Sequence, residues 1–532
     1  MATDELVPPG TPAAVAARAA QPVRAPVTDP TVGIDVVPER RGEPPHRLVA
    51  VGDSLSQGFQ SGAVFTTDLS YAAVVASELG WGGQFRHPSY AGRGGLPFNL
   101  ELLARDLEER YGAELSPWEV PSALFRARRL MDETEDYWER GLGSVAPDVP
   151  AYYHALAMYS WDLRDALSQT AAGLQARLGP DRDNAVRQLV GNHIERAALR
   201  VYPHWTPATR EMTLLQAARA LGEEHDDRTD SGIETLVVCI GANNALKTIT
   251  LLSVVWSDEG FRDLRRKQSY TVWRPEHFAA ELAEVVDAVR AVRARHVVWC
   301  TIPHLTIAPI ARGVGAKVRP GSRYFPYYTR PWISDDDFDP GRDKHLTAAE
   351  ARAVDAVIDI YNDAIERVVR DARQGVDGAP RDWYLLDLAG VLDRLASRRY
   401  IADPLARPDW WTPYVLPPAL QALHPPPDSL FITADGDGGR ATGGLFSLDG
   451  VHPTTVAYGI LAQELVDVMR LADVQFRTPA GTPREDPVLV DFDRLVRRDL
   501  LTRRPPQNIT SALDLLGWAD ETLDVFSRVL WR

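Results

Sequence analysis

The stretch RLVAVGDSLS, residues 47–56, decides the fold of this chain. It joins the apolar run LVAV to a glycine-containing turn that carries Ser54. An apolar run this short is typical of a strand that is buried on both faces of a parallel sheet. The segment that follows at residues 70–81, SYAAVVASELGW, has helical spacing. We therefore predict a buried strand, a tight turn at Ser54 and a helix that ends near Gly80.

Apolar runs of the same kind recur downstream. Residues 234–240 (ETLVVCI) and 296–303 (HVVWCTIP) flank residues 275–295, in which apolar residues recur every three or four positions. Strand, helix and strand in this order form a βαβ unit, which predicts a parallel sheet with right-handed crossovers. Residues 84–90 (QFRHPSY) and 382–392 (DWYLLDLAGVL) are two further strand candidates. The expected fold class is α/β, a three-layer α/β/α sandwich around a parallel sheet of about five strands.

The remaining sequence divides into insertions and terminal segments. Residues 1–45 are rich in Pro, Ala, Val and Arg without a clear period, and we expect an extended or weakly ordered arm. The core domain is expected over residues 46–472, with large insertions at about 99–229, mostly helical by its spacing, and about 305–447. Residues 473–532 are expected to form a C-terminal helical extension.

Two long helices are predicted in the C-terminal half. Residues 346–372 have helical spacing, and Thr347 with Glu350 three positions later matches a capping box at the start of that helix. Residues 450–472 are expected to contain the last helix of the core. Each helix needs an apolar neighbour, which the predicted sheet supplies.

Composition narrows the possible partners. The net charge of the 532 residues is −15, which argues against a nucleic-acid partner, because that affinity comes largely from clustered Lys and Arg. No apolar run is long enough for a membrane-spanning helix, which needs about 18 residues. The N-terminus as written lacks the pattern of a signal peptide, so we expect a cytoplasmic location, or secretion if a leader has been removed.

The first chemical motif is Gly52-Asp53-Ser54-Leu55-Ser56, directly after the first predicted strand. A serine at a tight strand-to-helix turn is exposed, and its backbone N–H lies near a helix N-terminus, where an anion is favoured. This location suits a nucleophile whose attack generates an oxyanion. The alternative is that a serine here only caps the helix.

The second motif is Asp449-Gly450-Val451-His452-Pro453, in which the acid and the imidazole are three positions apart. A turn or a helix start places both on one face. His452 can take a serine proton as general base, and Asp449 can hold its tautomer and offset the imidazolium charge. Taken without the serine motif, the same residues are typical of a surface loop.

The third motif is Gly241-Ala242-Asn243-Asn244, after the strand candidate at 234–240. A side-chain amide at that position can donate a hydrogen bond to a developing oxyanion. The alternative is an Asx turn. All three motifs follow, or lie near, a predicted strand end, and ligands of doubly wound sheets bind at the carboxyl ends of the strands.

Together, the three motifs resemble the SGNH, or GDSL-type, serine hydrolase family. The block around Ser54 matches the family's first block, and Asp449 with His452 matches its C-terminal Asp-x-x-His block. The third block of the family is usually Gly-x-Asn-Asp; here Asn243 keeps the oxyanion position, while Asn244 replaces the usual Asp. The resemblance implies a flavodoxin-like α/β/α fold and a Ser54, Asp449 and His452 triad.

The resemblance also implies a glycine N–H in the oxyanion hole, from a block that follows the second strand. Gly92 fits best by its distance from the strand candidate at 84–90, with Gly94 and Gly95 as close alternatives. The implied oxyanion hole is therefore the amides of Ser54 and Gly92 with the side chain of Asn243. No metal or organic cofactor is implied.

The implied activity is that of a carboxylic ester hydrolase, esterase-like or lipase-like, acting through an acyl-enzyme on Ser54. The expected substrate is a small-molecule or lipid ester. Transfer of the acyl group to an alcohol or a sugar hydroxyl, from the same site, is one alternative. A non-catalytic interaction protein that docks through its helical regions is another.

Several other features carry weaker expectations. The acidic runs at 335–339 and 435–437 are expected to be solvated loops, although a cation is conceivable there. The aromatic stretches at 324–328 and 410–411 are candidates for an acyl pocket or for packing of the insertions. His304 follows a predicted strand and is a candidate for substrate contact. The two cysteines, 239 and 300, are expected to be buried thiols.

Overall fold

A computed structural model describes residues 6–37, 44–179, 190–224 and 232–511 of the chain. The last residues of the predicted C-terminal extension, 512–532, lie outside the described residues, as do parts of the predicted arm and of the first insertion. Within the described ranges, no helix is long and apolar enough to cross a membrane.

Thirteen strands occur in the described residues. In chain order they are β1 (His46–Gly52), β2 (Phe59–Gln60), β3 (Ala63–Val64), β4 (Leu96–Pro97), β5 (Ala155–Ala157), β6 (Ile233–Cys239), β7 (Ala294–Cys300), β8 (Arg312–Gly313), β9 (Tyr327–Thr329), β10 (Leu346–Thr347), β11 (Trp383–Leu386), β12 (Thr433–Ala434) and β13 (Arg440–Thr442).

The central sheet has five strands in the order β5-β1-β6-β7-β11, and all of its strand pairs are parallel. Val51 lies opposite Leu156 of β5 on one side and opposite Val238 of β6 on the other. Every residue of β1 and β6 is buried, as expected of strands that are covered on both faces. The predicted α/β class and parallel sheet are confirmed.

The described helices are α1 (Ala13–Ala19), α2 (Ser54–Gln57), α3 (Tyr71–Glu78), α4 (Leu100–Tyr111), α5 (Val120–Glu139), α6 (Leu163–Ser168), α7 (Ala171–Arg177), α8 (His193–Ala198), α9 (Leu214–Glu223), α10 (Lys247–Leu251), α11 (Pro275–Arg290), α12 (Ala348–Gln374), α13 (Leu388–Leu395), α14 (Pro418–Gln421), α15 (Thr455–Leu471), α16 (Phe492–Arg498) and α17 (Leu500–Arg503). Two groups of them, α3 with α15 and α9 with α11 and α12, pack on the sheet. This layering is compatible with an α/β/α sandwich.

The predicted start of α12 is confirmed. Thr347 and Glu350 form the capping box: the Thr347 side chain accepts from the Glu350 N–H, and the Glu350 side chain accepts from the Thr347 N–H at 2.8 Å. The predicted last core helix is confirmed as α15. Cys239 and Cys300 are buried free thiols, also as expected.

The strand predicted at 84–90 is wrong. Those residues have no regular structure, and the neighbour of β1 is β5, inside a segment whose spacing favours a helix. The carbonyl of Arg86 accepts the N–H of His154 at 2.8 Å, so the segment lies beside β5 without extending the ladder. Pro88 has no N–H to donate to such a ladder. A three-residue strand is too short for periodicity to separate it from a helix.

The arm predicted to be extended or weakly ordered is packed on the domain over the described residues 6–37, with one short helix, α1. Helix α1 packs on α12, and Val15 is fully buried. Arg24 donates to both carboxylate oxygens of Asp387, at 3.0 and 3.1 Å. The carbonyl of Pro30 accepts the N–H of Leu385, so the arm runs along the outer edge of β11. These contacts cover a sheet edge that would otherwise expose unpaired backbone groups.

Candidate active site

Ser54 is the first residue of α2, and a single residue, Asp53, separates it from the end of β1. Asp53 caps the helix by accepting the N–H of Leu55 at 3.1 Å, so the capping role belongs to the aspartate and not to the serine. A Cβ on Gly52 would lie 2.5 Å from the carbonyl oxygen of Cys239, so the approach of β1 to β6 at this point requires glycine. The turn therefore holds Ser54 at the carboxyl edge of the sheet.

Asp449 and His452 form the second part of the site. The Nδ1 atom of His452 lies 3.0 Å from Oδ2 of Asp449, and the other carboxylate oxygen accepts the N–H groups of Val451 at 2.9 Å and His452 at 2.8 Å. Gly450 has φ 66°, a conformation that favours glycine and lets the loop turn back on itself. The acid and the imidazole are thus locked together by their own loop.

The loop at 447–452 is tied to the hairpin of β2 and β3, which directly follows α2. The N–H of Gly62 donates to Asp449 Oδ2 at 2.9 Å, and the N–H of Ser61 donates to Oγ of Ser447 at 2.8 Å. The ring of Phe59 lies 4.5 Å from that of His452, centroid to centroid. These contacts bridge almost four hundred positions of sequence and bring the imidazole to the end of β1.

Ser54 and His452 line the same cavity, whose empty space, its open mouth included, is about 920 Å³. Asp53 lies at this cavity too, while most of its wall is aliphatic. The apolar lining comes from α2, from α13, from the start of α15 and from three connecting segments: Leu55, Ala242, Leu246, Pro303, Leu305, Ala308, Leu388, Val391, Leu392, Leu395, Leu445, Phe446, Val451, Pro453, Ala457, Ile460 and Leu461. We call this space the acyl cavity below.

Burial and local charge set the protonation of two acids here. Burial raises the pKa of Asp53 to about 7. The hydrogen bond from Leu55 and the nearby His452 act in the opposite direction, but their effect on this pKa is smaller. Asp449 is also fully buried, which opposes ionisation. Its interactions with His452 and the N–H donors of His452 and Gly62 nevertheless hold the pKa of Asp449 below its ordinary value. Asp449 is thus the ionised partner of the imidazole.

Asn243 lies at the carboxyl end of β6, beside β1, as predicted from the sequence. Its Nδ2 donates to the carbonyl of Trp161 at 2.8 Å, and the side chain is buried. This bond fixes the amide, which has a second N–H. Asn244, the departure from the family pattern, accepts the N–H of Leu163 at 3.3 Å. Both amides therefore bind the segment that follows β5.

Gly92 does not line the acyl cavity. It is exposed, and a Cβ on it would lie 2.3 Å from the hydroxyl oxygen of Tyr137. Neither Gly94 nor Gly95 lines the acyl cavity. The basis for choosing Gly92 is wrong, because it was counted from a strand that does not form.

The segment at 158–161 directly follows β5, the strand that lies beside β1. The N–H of Met158 donates to the carbonyl of Gly52 at 3.2 Å, and the N–H of Tyr159 donates to the side chain of Gln57 at 2.7 Å. Ser160 has φ 63°, which side chains rarely adopt. Sequence reasoning missed this segment, because a serine gives no signal of a left-handed turn, whereas a glycine does.

His304 lines the acyl cavity, but both of its ring nitrogens have carboxylate partners. Nδ1 lies 3.0 Å from Asp393, and Nε2 lies 3.0 Å from Asp359. Although burial opposes the charge, these two acids raise the pKa of His304 to about 10. The imidazole is therefore a buried cation in an ion-pair network, not a free donor for a substrate.

The other candidate residues from the sequence lie outside the acyl cavity. Phe325 and Tyr328 line a second cavity and not the acyl cavity. Trp411 packs with Tyr400 and Ala406 in a separate small core. Among the described residues, no group of three or more His, Cys, Asp or Glu side chains is arranged to hold a metal ion, the acidic runs at 335–339 and 435–437 included.

Comparisons with protein-family models, with curated proteins and with solved structures find no match to this chain.

Proposed function

We propose that this protein is a serine hydrolase of the SGNH type that cleaves carboxylic esters through an acyl-enzyme on Ser54. The observation that carries the proposal is the shared cavity: Ser54 and His452 line one space, and Asp449 holds the imidazole from behind at 3.0 Å. Nucleophile, base and orienting acid are the three parts that acyl transfer to a serine requires.

The chemistry assigned to these residues is a two-step acyl transfer. His452 takes the proton of Ser54 as the hydroxyl attacks the ester carbonyl, and it returns the proton to the leaving alkoxide. Water then attacks the acyl-enzyme, with His452 again as base. Ionised Asp449 stabilises the imidazolium in both steps.

The proposed oxyanion donors are the Ser54 N–H and the Asn243 amide. Donors aimed at the developing charge stabilise the transition state more than the ground state.

The acyl cavity supports an ester with an aliphatic acyl chain. Its wall is almost entirely Leu, Val, Ile, Ala, Pro and Phe, the apolar character that is usual for sites that bind hydrophobic small molecules. Burial of each methylene of a chain in such a space is worth about 0.8 kcal/mol. The substrate class is therefore proposed to be a lipid-like ester and not an acetate ester.

Hydrolysis of p-nitrophenyl octanoate tests the proposal. The wild-type chain should release p-nitrophenol, and Ser54→Ala should abolish release above the uncatalysed rate. The matched control is Ser56→Ala, two positions along the same turn, where the hydroxyl bonds to that of Tyr71 at 2.7 Å. Equal activity of the wild-type and Ser54→Ala chains would refute the proposal. Added alcohol, with analysis of the products, separates hydrolysis from acyl transfer.

Replacement of Asn243 tests the oxyanion assignment separately. We expect Asn243→Ala to lower kcat by about 10²–10³-fold with little change in KM, because the lost hydrogen bond forms mainly in the transition state. Steady-state kinetics on the same ester measures both constants. A rise in KM with kcat unchanged would show that the amide only binds substrate or supports Trp161.

A further inference from the structure

Residues 304–309 form a wall between two cavities. Leu305 and Ala308 face the acyl cavity, whereas Thr306 and Ile307 line a second cavity on the other side. The second cavity is not used by the proposed ester chemistry. Its lining has a different character, because charged side chains contribute to it.

Four arginine side chains line this second cavity: Arg312, Arg323, Arg398 and Arg399. Two of them have carboxylate partners. Arg399 Nη2 lies 2.8 Å from Asp355, and Arg312 pairs with Asp335. The arginines thus outnumber the carboxylates that neutralise them directly.

Arg323 and Arg398 form no ion pair with a carboxylate anywhere in the described ranges. Nη1 of Arg323 and Nε of Arg312 are buried and make no hydrogen bond to any described residue. Arg398 lies over the ring of Phe325 at 4.7 Å. Burial and the positive charge of Arg312 lower the pKa of Arg398. Buried guanidinium N–H groups without an acceptor, as on Arg323 and Arg312, cost free energy unless a ligand supplies that acceptor.

We propose that this arginine-lined cavity binds a phosphate group, carried by a phosphomonoester or a phosphodiester. Guanidinium groups present paired N–H donors that match the spacing of phosphate oxygens, and several of them around one cavity can neutralise a dianion. Apolar residues of the same lining, among them Phe431 and Leu430, can contact the carbon part of such a molecule.

The phosphate group has two possible sources with the same chemistry. It can be the headgroup of an ester lipid whose acyl chain lies across the wall in the acyl cavity, and only this source rests on the proposed hydrolase function. It can also belong to a separate phosphorylated small molecule. The site itself is the same in both cases, so direct binding tests it without any assay of hydrolysis.

The binding test is calorimetric titration of the full chain, carrying Ser54→Ala, with inorganic phosphate. We expect saturable binding that equal ionic strength of chloride does not displace. Arg323→Gln and Arg398→Gln should each weaken it at least about tenfold, the usual effect of losing one charge-assisted hydrogen bond to an anion. Arg319→Gln is the matched control, since Arg319 is an exposed arginine of the same loop.

Absence of phosphate binding, or equal binding by the wild-type, Arg323→Gln and Arg398→Gln chains, would overturn the proposal. Arg398 is partly exposed, so its variant is expected to fold, and a circular dichroism melt beside that of Arg319→Gln checks this. If phosphate binds while no ester is hydrolysed, the site stands and only the hydrolase proposal fails.

A kinetic experiment distinguishes the two sources of the phosphate group. If the phosphate is the headgroup of the ester substrate, Arg398→Gln should weaken binding of a phosphate-bearing ester but not of a neutral ester of equal chain length. The KM of the first divided by the KM of the second should then be about tenfold higher in the variant than in the wild type. For a separate molecule, that ratio should match the wild type, and glycerol phosphate should bind at least as tightly as inorganic phosphate. Either result supports the site.

Discussion

At the scale of single residues, Asp449 controls the orientation of His452. Its carboxylate accepts hydrogen bonds from the imidazole and from three backbone N–H groups, those of Gly62, Val451 and His452. Asp449→Asn keeps the shape but loses the charge and favours the wrong tautomer, so we expect kcat to fall by about 10³–10⁴-fold. Steady-state kinetics measures the effect, with Asp435→Asn, a substitution of an exposed aspartate, as the control. A loss of less than tenfold would show that His452 does not depend on this carboxylate.

Asp53 makes stability depend on pH with a predictable sign. Burial raises its pKa in the folded chain to about 7, from 3.8. The folded state then binds the proton more tightly than the unfolded state, so this group's contribution to the free energy of unfolding falls as pH rises from about 4 to about 7.

Asp53→Asn keeps an oxygen acceptor for Leu55 but does not ionise. Urea unfolding at several pH values should show a smaller loss of stability across that interval in the variant than in the wild type. Parallel curves for the two chains would show that Asp53 has an ordinary pKa in the folded state.

At the scale of elements, the segment that connects β5 to α6 supports the site through its contacts with Asn243. Lys267 is buried, and its Nζ lies 2.6 Å from both Asp162 and Asp165, the capping-box residues of α6. Trp161, which accepts the bond from Asn243, directly precedes this capping box. The ion cluster therefore fixes the turn that holds the proposed oxyanion amide.

Lys267→Met should lower the free energy of unfolding by about 3–5 kcal/mol, because it leaves two buried carboxylates without their cation. Urea denaturation measures this, with exposed Lys344→Met as the control. Equal stability of the two variants would mean that the cluster is neutralised in another way.

The same segment shows where sequence reasoning stopped. The strands β1, β6, β7 and β11 were predictable, because short continuous runs of apolar residues are typical of strands that are buried on both faces. The strand β5 was not, since three residues inside a stretch with helical spacing carry no period of their own. The choice of Gly92 lost its basis with it, because the motif was counted from a strand that does not form.

At the scale of the whole molecule, the positions of Ser54, Asn243 and His452 were predictable and the cavity was not. Parallel strands end at one edge, so residues that follow separate strands can be expected to meet there. The acyl cavity instead combines α13, α15 and three connecting segments that are distant in sequence. The order of the arm at 6–37 was also unpredictable, since it depends on ion pairs such as Arg24 with Asp387.

The size of the acyl cavity predicts chain-length preference. For p-nitrophenyl esters from acetate to longer chains, kcat/KM should rise by up to about fourfold per methylene until the cavity is full, from about 0.8 kcal/mol each. Leu461→Trp, within the lining, should move the optimum to shorter chains. Leu471→Trp, exposed on the same helix, is the control. A preference for acetate in the wild type would contradict the assignment of this cavity.

The central claim is that the fold makes the hydroxyl of Ser54 reactive through His452. The most direct measurement is labelling of the native chain with a fluorophosphonate probe, followed by mass spectrometry of the peptide around residue 54. We predict one adduct on Ser54 that is lost when the chain is denatured first and is strongly reduced in His452→Ala. A folded wild-type chain without an adduct at this serine, or with the same labelling in His452→Ala, would contradict the account.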